Sequence, residues 1–331
     1  MKIFIPMAGK GTRLRPFTLS TPKPLIKIID KPIVEHLIDQ ITSTVKVQIK
    51  EIIYILGDEN YFNSEVVDSL KDISKKYNAN TKVYRQLEQK GTGHAIMCAK
   101  ESLKGPAVIA YADTMIQGDI EIDPNIDGSI WVKKVINPEA YGVVKLDSQS
   151  KIIELVEKPL NFITDLAVVG IYYFKEIEIL RDYLEIHLQE KLPHGQEYLL
   201  NYGIEKMIEN NYTFIPKEIE KWMDCGTPKL LLESAKTIMD SSSIYDKTIH
   251  DDVTIVEPVF LGKNTKIRNS VIGPYVSIGR GCQIENSTLK NTLIYDNVKV
   301  VNSKLEDSII GSNSEYEGEG SEVYLGDNTK M

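Results

Sequence analysis

Between Leu261 and Ile310 an aliphatic residue returns every five or six positions: Leu261, Ile267, Ile272, Ile278, Ile284, Leu289, Ile294, Val300, Leu305 and Ile310. A helix repeats its apolar face about every 3.6 residues and a half-buried strand about every two, so neither explains this period. A longer similarity overlies it. Ile267-Arg-Asn-Ser270, Ile284-Glu-Asn-Ser287 and Val300-Val-Asn-Ser303 recur at spacings of 17 and 16, and Leu261-Gly262, Ile272-Gly273 and Ile278-Gly279 share an aliphatic-glycine start. Three short sides make one coil of that length. Each coil touches only its neighbours, so several must stack before a core is buried. A meander of antiparallel strands is the alternative, and it has no reason to keep so strict a period.

This pattern resembles the hexapeptide repeat of a left-handed parallel β-helix. It fills only the end of a chain of 331 residues. Domains usually run about 100–200 residues, so two are expected. A polar stretch from Ser241 to Asp252 marks the boundary. The expected division is residues 1–240, a linker at 241–252, and the repeat at 253–331.

Upstream, strands alternate with helices. Strand patterns at residues 2–7, 51–56, 81–84 and 107–110 are separated by helical ones at 31–44, 61–75 and 93–103. Such alternation implies an α/β fold with a Rossmann-like, mostly parallel sheet. Ligands of such sheets sit at the carboxyl ends of the strands, which points to the turns after Met7 and Tyr111. Beyond residue 128 strands dominate (129–135, 143–146, 152–156, 167–174), followed by helices at 175–188, 197–209 and 227–239.

Composition excludes several classes. With 42% hydrophobic and 26% charged residues the chain is neither disordered nor collagen-like. No apolar run reaches the roughly 18 residues of a membrane span, and the apolar start is too short for a signal-peptide core. Cys98, Cys225 and Cys282 are scattered without a C-x-x-C, which fits a reducing, cytoplasmic setting and no zinc site. A net charge of −8 argues against a nucleic-acid partner. Residues 1–36 nevertheless carry seven basic residues against two acidic ones, a local +5 that suits an anionic ligand.

Within that basic opening stands Gly9-Lys-Gly11-Thr12-Arg13-Leu14. Two glycines let backbone N–H groups approach phosphate oxygens. It is not G-x-G-x-x-G, because Leu14 stands at the third glycine, and no G-x-x-x-x-G-K-[ST] occurs. Arg13, Arg15, Lys23 and Lys27 follow on a path stiffened by Pro16, Pro22 and Pro24, as a polyphosphate clamp would require. Pro24 disfavours helix at Lys23, which removes the ordinary helix-face explanation for that lysine.

Gly9-Lys-Gly-Thr-Arg-Leu-Arg-Pro-Phe-Thr, Thr21-Pro-Lys-Pro-Leu25 and Asp30-Lys-Pro32 resemble the signature of the sugar-1-phosphate nucleotidyltransferases. Further matches follow in order: Gln86, Gly91-Thr-Gly-His-Ala95, Tyr111-Ala-Asp113, Asn137-Pro-Glu-Ala-Tyr-Gly-Val143, Glu157-Lys-Pro159, Ala167-Val-Val-Gly170 and Trp222-Met-Asp-Cys-Gly-Thr227. The resemblance covers residues 1 to about 240 and is specific in combination. It implies attack of a sugar 1-phosphate oxygen on the α-phosphorus of a nucleoside triphosphate, with pyrophosphate leaving. It assigns catalysis to Arg13 and Lys23, and nucleotide binding to Ala8, Gly9, Gly11, Thr12, Gln86, Gly91 and Thr92. Sugar-phosphate contacts fall to Tyr141, Gly142, Glu157, Lys158 and Gly170, and Mg²⁺ to Asp113 and Asp224. The nucleophile is already an anion and needs no general base, so His94 is expected to pack in its helix.

Gly91-Thr-Gly-His-Ala resembles the base-binding turn of uridylyl- and thymidylyltransferases, pointing to glucose 1-phosphate with UTP or dTTP. Leu14-Arg-Pro-Phe-Thr-Leu-Ser-Thr-Pro-Lys-Pro-Leu25 is equally like mannose-1-phosphate guanylyltransferases. Asn201 and Tyr202 stand where pyrimidine-specific relatives often carry a Thr-Asp pair, which weakens the expectation of a sugar contact from that helix. A non-catalytic sugar-nucleotide sensor is the alternative of another class. An acyltransferase activity in the repeat would need a histidine, and none follows His250. The repeat is therefore expected to serve assembly into a homo-oligomer, and to be dispensable for the chemistry.

Overall fold

The computed structural model describes residues 1–45, 47–118, 121–241 and 252–331. The expected linker at 241–252 and His250 lie almost wholly outside the described residues. Two compact units interleave along the chain: Met1–Gly9 with Leu37–Trp222, and Lys10–His36 with Met223–Met331.

The first unit is built on a nine-stranded sheet. Its strands are β1 (Lys2–Pro6), β2 (Glu51–Leu56), β3 (Asn80–Arg85), β4 (Ala107–Ala110), β5 (Gly128–Lys134), β6 (Gly142–Leu146), β7 (Ile152–Glu157), β8 (Leu166–Phe174) and β9 (Phe214–Glu218). Their order is β3-β2-β1-β4-β8-β5-β9-β7-β6, and β6 also pairs with β8. The α-helices among the described residues are α1 (Ile33–Thr44), α2 (Ser64–Lys76), α3 (Thr92–Met97), α4 (Ile177–His187), α5 (Leu200–Glu209) and α6 (Pro228–Ser241).

Strands β3, β2, β1 and β4 are mutually parallel, as alternation with helices requires. The rest of the sheet is mixed. β8 is antiparallel to β4 and β5, β7 is antiparallel to β9 and β6, and β9 is parallel to β5. The mostly parallel expectation therefore holds for the first half only. From residue 128 to 174 the chain turns back without α-helices. Between β6 and β7, Asp147 Oδ1 accepts from the Gln149 and Lys151 amides at 2.8 and 2.9 Å and closes a hairpin.

Alternation along the strands makes two apolar faces. Phe4, Ile53, Ile55, Ile109, Ile130 and Phe174 join Ala95, Leu180, Leu200 and Ile204 of α3, α4 and α5 in one layer. Tyr54 points to the opposite face, its hydroxyl 3.1 Å from Ser74 Oγ of α2. Each fully buried side chain of this size contributes roughly 1.5–3 kcal/mol, which makes these layers the main source of stability.

In the second unit, residues 253–325 form a coiled stack of short parallel strands. Ile267 faces Ile284 and Ile284 faces Val300; Ile272 faces Leu289 and Leu289 faces Leu305; Ile278 faces Ile294 and Ile294 faces Ile310. The five-to-six period is thus three apolar columns, one per side of each coil. Corners fall on asparagine because it tolerates positive φ. Asn269, Asn286 and Asn302 have φ of 44°, 49° and 48°. Their amides form a ladder, Asn269 to Asn286 at 2.8 Å and Asn286 to Asn302 at 3.0 Å. Each such bond is worth about 1 kcal/mol, so the ladder sets corner geometry while the columns carry the stability. Helix α6 packs in the same unit, with the Tyr275 hydroxyl 3.0 Å from Asp240.

Candidate active site

The signature segment lies in the second unit. Gly11 adopts φ +59°, and a Cβ there would stand 2.8 Å from Lys23 Cβ and 3.1 Å from Thr18 Cγ2. Glycine is needed here so that the Lys23 stem can pack on the loop. Thr18 Oγ1 donates to Gly11 O at 2.9 Å and the Leu14 amide donates to it at 3.0 Å, closing the turn. Lys23 is only 8% exposed, an unusual burial for an ammonium. Thr12 and Arg13 are exposed on the single 3₁₀ turn Thr12–Leu14. Gly9, in the first unit, would meet nothing within 4 Å if given a Cβ, so packing does not demand it.

Asp224 ends the strand Lys221–Asp224 and precedes α6, which Thr227 opens by accepting from the Leu230 amide at 3.3 Å. Between them, a Cβ at Gly226 would fall 2.9 Å from Asp224 Oδ1 and 3.3 Å from Arg13 Nη2. One expected metal ligand and the expected polyphosphate arginine therefore flank the same spot. Lys27 departs from the clamp expectation. Its ammonium lies 2.8 Å from Asp296 Oδ2 on the coiled stack, where a partly buried carboxylate outcompetes solvent.

In the first unit, Ala8 follows β1 and is buried. Its carbonyl accepts from Gln89 Nε2 at 3.3 Å. Gln86 is buried too, and its Nε2 donates to Gly91 O at 3.0 Å and lies 3.1 Å from His94 Nδ1. Burial first, then Lys90, hold the His94 pKa below its usual value, consistent with a packing role. Gly91 has φ +110°, and a Cβ would stand 2.6 Å from Tyr198 O. The turn is tied to that residue by Tyr198 N–H to Lys90 O at 2.8 Å and Gly93 N–H to Tyr198 O at 2.7 Å. Thr92 Oγ1 accepts from the Leu200 amide at 2.9 Å. Sequence reasoning missed Tyr198, because this pairing joins segments about a hundred residues apart and leaves no local pattern.

Asp113 sits half-buried in the turn after β4. Next to it, Tyr111 is set by Gly170, whose φ of +86° lets the ring approach to 2.6 Å of a Cβ position. Burial chiefly raises the Tyr111 phenol pKa, so it stays protonated. At the end of β7, Glu157 Oε2 would stand 2.9 Å from a Cβ on Gly142 and accepts from Asn201 Nδ2 at 3.2 Å. The Lys158 amide donates to Tyr141 O at 3.1 Å, at a φ of +46°, and the Tyr141 ring lies 4.9 Å from that of Trp222. Tyr141, Gly142, Glu157 and Lys158 are thus brought together. Asn201 joins them, although the departure at this helix had weakened that expectation. Tyr202 turns away and stacks on His187 at 3.7 Å.

Among the described residues, no group of three or more His, Cys, Asp and Glu side chains could hold a metal, and no helix is long and apolar enough to cross a membrane. Asp113 and Asp224 are the two carboxylates expected to hold Mg²⁺, an ion that needs few protein ligands because it keeps waters and takes oxygens from substrate.

Residues 4–241 match the Nucleotidyl transferase family. Over 96% of its length the chain is 31% identical to the Bifunctional protein GlmU of Methanocaldococcus jannaschii, covering 79% of that protein. It is 27% identical to a glucose-1-phosphate thymidylyltransferase of Streptomyces antibioticus, with 96% and 89% of the two chains covered. It is 24% identical to a low-salt glycan biosynthesis nucleotidyltransferase of Haloferax volcanii, over 100% and 99% of the two. A crystal structure of a Bacillus anthracis protein assigned as a glucose-1-phosphate thymidylyltransferase, in complex with sucrose, shares the fold at TM-score 0.61 and 22% identity, covering 74% of this chain and 98% of that one. With the signature loop, its buried lysine and the Asp224 turn in place, the match over most of the chain makes this protein a member of the sugar-1-phosphate nucleotidyltransferases.

Proposed function

We propose that the chain joins glucose 1-phosphate to UTP or dTTP, giving the nucleotide sugar and pyrophosphate. The observation that carries the assignment of roles is the Gly11–Lys23 contact, which buries a lysine stem against the glycine loop. Lys23 lies beside the α-phosphate and counters the charge that develops there during transfer. Arg13 holds the β- and γ-phosphates. Gly9, Gly11 and Thr12, with Ala8, offer backbone donors, and Gln86, Gly91 and Thr92 face the base. Glu157 accepts from sugar hydroxyls, oriented by Asn201. Lys158 holds the sugar phosphate, and Tyr141, Gly142 and Gly170 let the backbone approach it. Asp113 and Asp224 would hold Mg²⁺, which when bound neutralises phosphate charge. Positioning and charge neutralisation then account for catalysis without a base.

The transferase chemistry belongs to residues 1–240 and the repeat to 253–331, a left-handed β-helix joined by 241–252. Its regular coils serve the assembly of a homo-oligomer. The enzyme works in the cytoplasm on small anionic substrates. Mannose 1-phosphate with GTP is the second reading, favoured by the residue 14–25 motif. One assay separates them: pyrophosphate release with UTP, dTTP, GTP, ATP and CTP against glucose, mannose, galactose and N-acetylglucosamine 1-phosphates. The expected maximum is glucose 1-phosphate with UTP or dTTP. A maximum with GTP and mannose 1-phosphate would replace the first reading, and release without any sugar phosphate would remove both.

A further inference from the structure

Lys23 heads a segment that reaches the coiled stack. It opens a short 3₁₀ turn, in which the Leu25 amide donates to Pro22 O at 2.8 Å and the Ile26 amide to Lys23 O at 3.1 Å. The far end of that turn is fastened to the coiled stack. Lys27 Nζ lies 2.8 Å from Asp296 Oδ2, and the Tyr295 hydroxyl donates to Lys27 O at 3.1 Å. The Tyr295 ring meets Phe17 edge-on at 6.2 Å. Asp296 is itself fixed. The Arg280 amide donates to Oδ1 and the Arg280 guanidinium to Oδ2, both at 3.0 Å. Gly279 leaves room for this, since a Cβ there would stand 2.7 Å from Oδ1.

Beside the pair lies a cavity of about 150 Å³, bounded by Phe17, Thr21, Leu25 and Asp327. The turn is therefore not wedged in place by close packing on that side. On that side it is held at Lys27 by polar contacts, which add to the buried Ile26 and Ile28 and to the Ile33 N–H bond to Ile26 O at 3.0 Å. Burial opposes charge on Asp296, but the bonds from Lys27 and Arg280 outweigh it and bring the carboxyl to about 2, so the anchor is ionised at any working pH.

We infer that Asp296 is a positioning residue for Lys23: by holding Lys27 it fixes the 22–27 turn and thereby the place of the Lys23 ammonium. This rests on the proposed role of Lys23 in transfer. It also changes the status of the repeat, which was expected to be dispensable for the chemistry and here carries the anchor of a residue that performs it. A misplacement of about 1 Å can cost on the order of 100-fold in rate, so a contact remote from the reacting atoms can govern turnover.

The test uses the full chain with Asp296→Asn, which keeps the shape of the side chain and removes the charge, and Asp296→Glu, which keeps the charge. Lys290→Ala, which breaks the exposed Lys290–Glu306 pair elsewhere on the stack, is the control. Amide hydrogen exchange at Leu25 and Ile26 should rise about 10-fold or more in Asp296→Asn, and this readout does not depend on activity. In steady-state kinetics kcat should fall about 10- to 100-fold, with KM for both substrates within about threefold of wild type. Asp296→Glu should recover most of the loss, and Lys290→Ala should change neither readout. Wild-type kcat in Asp296→Asn overturns the inference whether or not exchange rises, and so does a loss that Asp296→Glu fails to recover. A wild-type chain that releases no pyrophosphate with any substrate pair overturns the proposed function instead, and the role of Lys23 with it.

Discussion

Two glycine turns serve this protein, and they are held in opposite ways. The Gly91 turn is clamped backbone to backbone. Tyr198 pairs with Lys90 and Gly93 on both sides, and a Cβ at 91 would collide with Tyr198 O at 2.6 Å. The Gly11 turn closes on one backbone bond, from the Leu14 amide to Gly11 O, and is otherwise held by side chains. It packs on the stem of Lys23, bonds Thr18, and belongs to a segment fastened at Lys27, Phe17 and Ser20 to Asp296, Tyr295 and Asp327. A backbone clamp is indifferent to most substitutions around it but intolerant of any Cβ inside it. A side-chain anchor can be undone by one mutation without unfolding the unit. The turn assigned to binding the base is thus built to be rigid, and the segment assigned to transfer is built to be adjusted.

The largest effects should come from the side-chain-held region. Lys23→Ala should lower kcat by about 100- to 1000-fold, the loss expected when one preorganised donor to developing charge is removed, with little change in either KM. Asp113→Asn should cost at least about 100-fold at saturating Mg²⁺. Near-normal turnover by either variant in a pyrophosphate-release assay would take that residue out of the transfer step.

Next in size is the sugar end. Lys158→Ala removes a charge-assisted contact worth roughly 1.5–3 kcal/mol, so KM for the sugar 1-phosphate should rise about 10- to 150-fold while nucleotide affinity stays nearly constant. Kinetics at saturating nucleotide with varied sugar phosphate check this. A rise in nucleotide KM instead would dissolve the division between the two ends of the site.

Smaller, and most specific to the comparison, is the pair Gly11→Ala and Gly91→Ala. At 91 the strained φ and the backbone clash are worth roughly 1–3 kcal/mol, a fall in Tm of several degrees. At 11 the φ of +59° is strained too and the obstacle is Lys23 Cβ at 2.8 Å, so Tm should also fall, while kcat falls more because Lys23 is displaced. Equal Tm losses with equal kcat losses would mean that the two turns are held alike.

The smallest effect is electrostatic. The Asp296 carboxyl is depressed from 3.8 to about 2, so its pair stabilises the fold fully above about pH 4 and loses that contribution as pH falls through about 2. The Tm difference between wild type and Asp296→Asn should be constant from pH 5 to 8 and vanish near pH 2. A difference that stayed near zero at every pH would show an ordinary, unpaired carboxylate.

Much of this was legible in the sequence because it is periodic or local. The five-to-six aliphatic period is the three columns seen in the stack, and the helix and strand patterns of residues 2–110 recur within a few positions. The 93–103 pattern is an exception. It breaks into α3 (Thr92–Met97) and a separate turn at Lys100–Ser102. Strand β9 went unread because Pro216 stands in its middle, paired with Ile130, and proline demotes a strand pattern. Gly11, Lys23 and Asp224 were legible as motif members, but Lys27 was misjudged. Its charge reads as a clamp until the partner some 270 residues away is known. Tyr198, Asn201 and Asp296 share that obstacle: what each does depends on a residue brought near only by folding.

The central claim is nucleotidyl transfer to a sugar phosphate, and it is tested most directly by following the α-phosphorus. With α-labelled UTP or dTTP, Mg²⁺ and glucose 1-phosphate, the label should appear in a nucleotide sugar in a 1:1 ratio with pyrophosphate, and only when the sugar phosphate is present. Label recovered in nucleoside monophosphate, or pyrophosphate released without the sugar phosphate, would show hydrolysis and contradict the account.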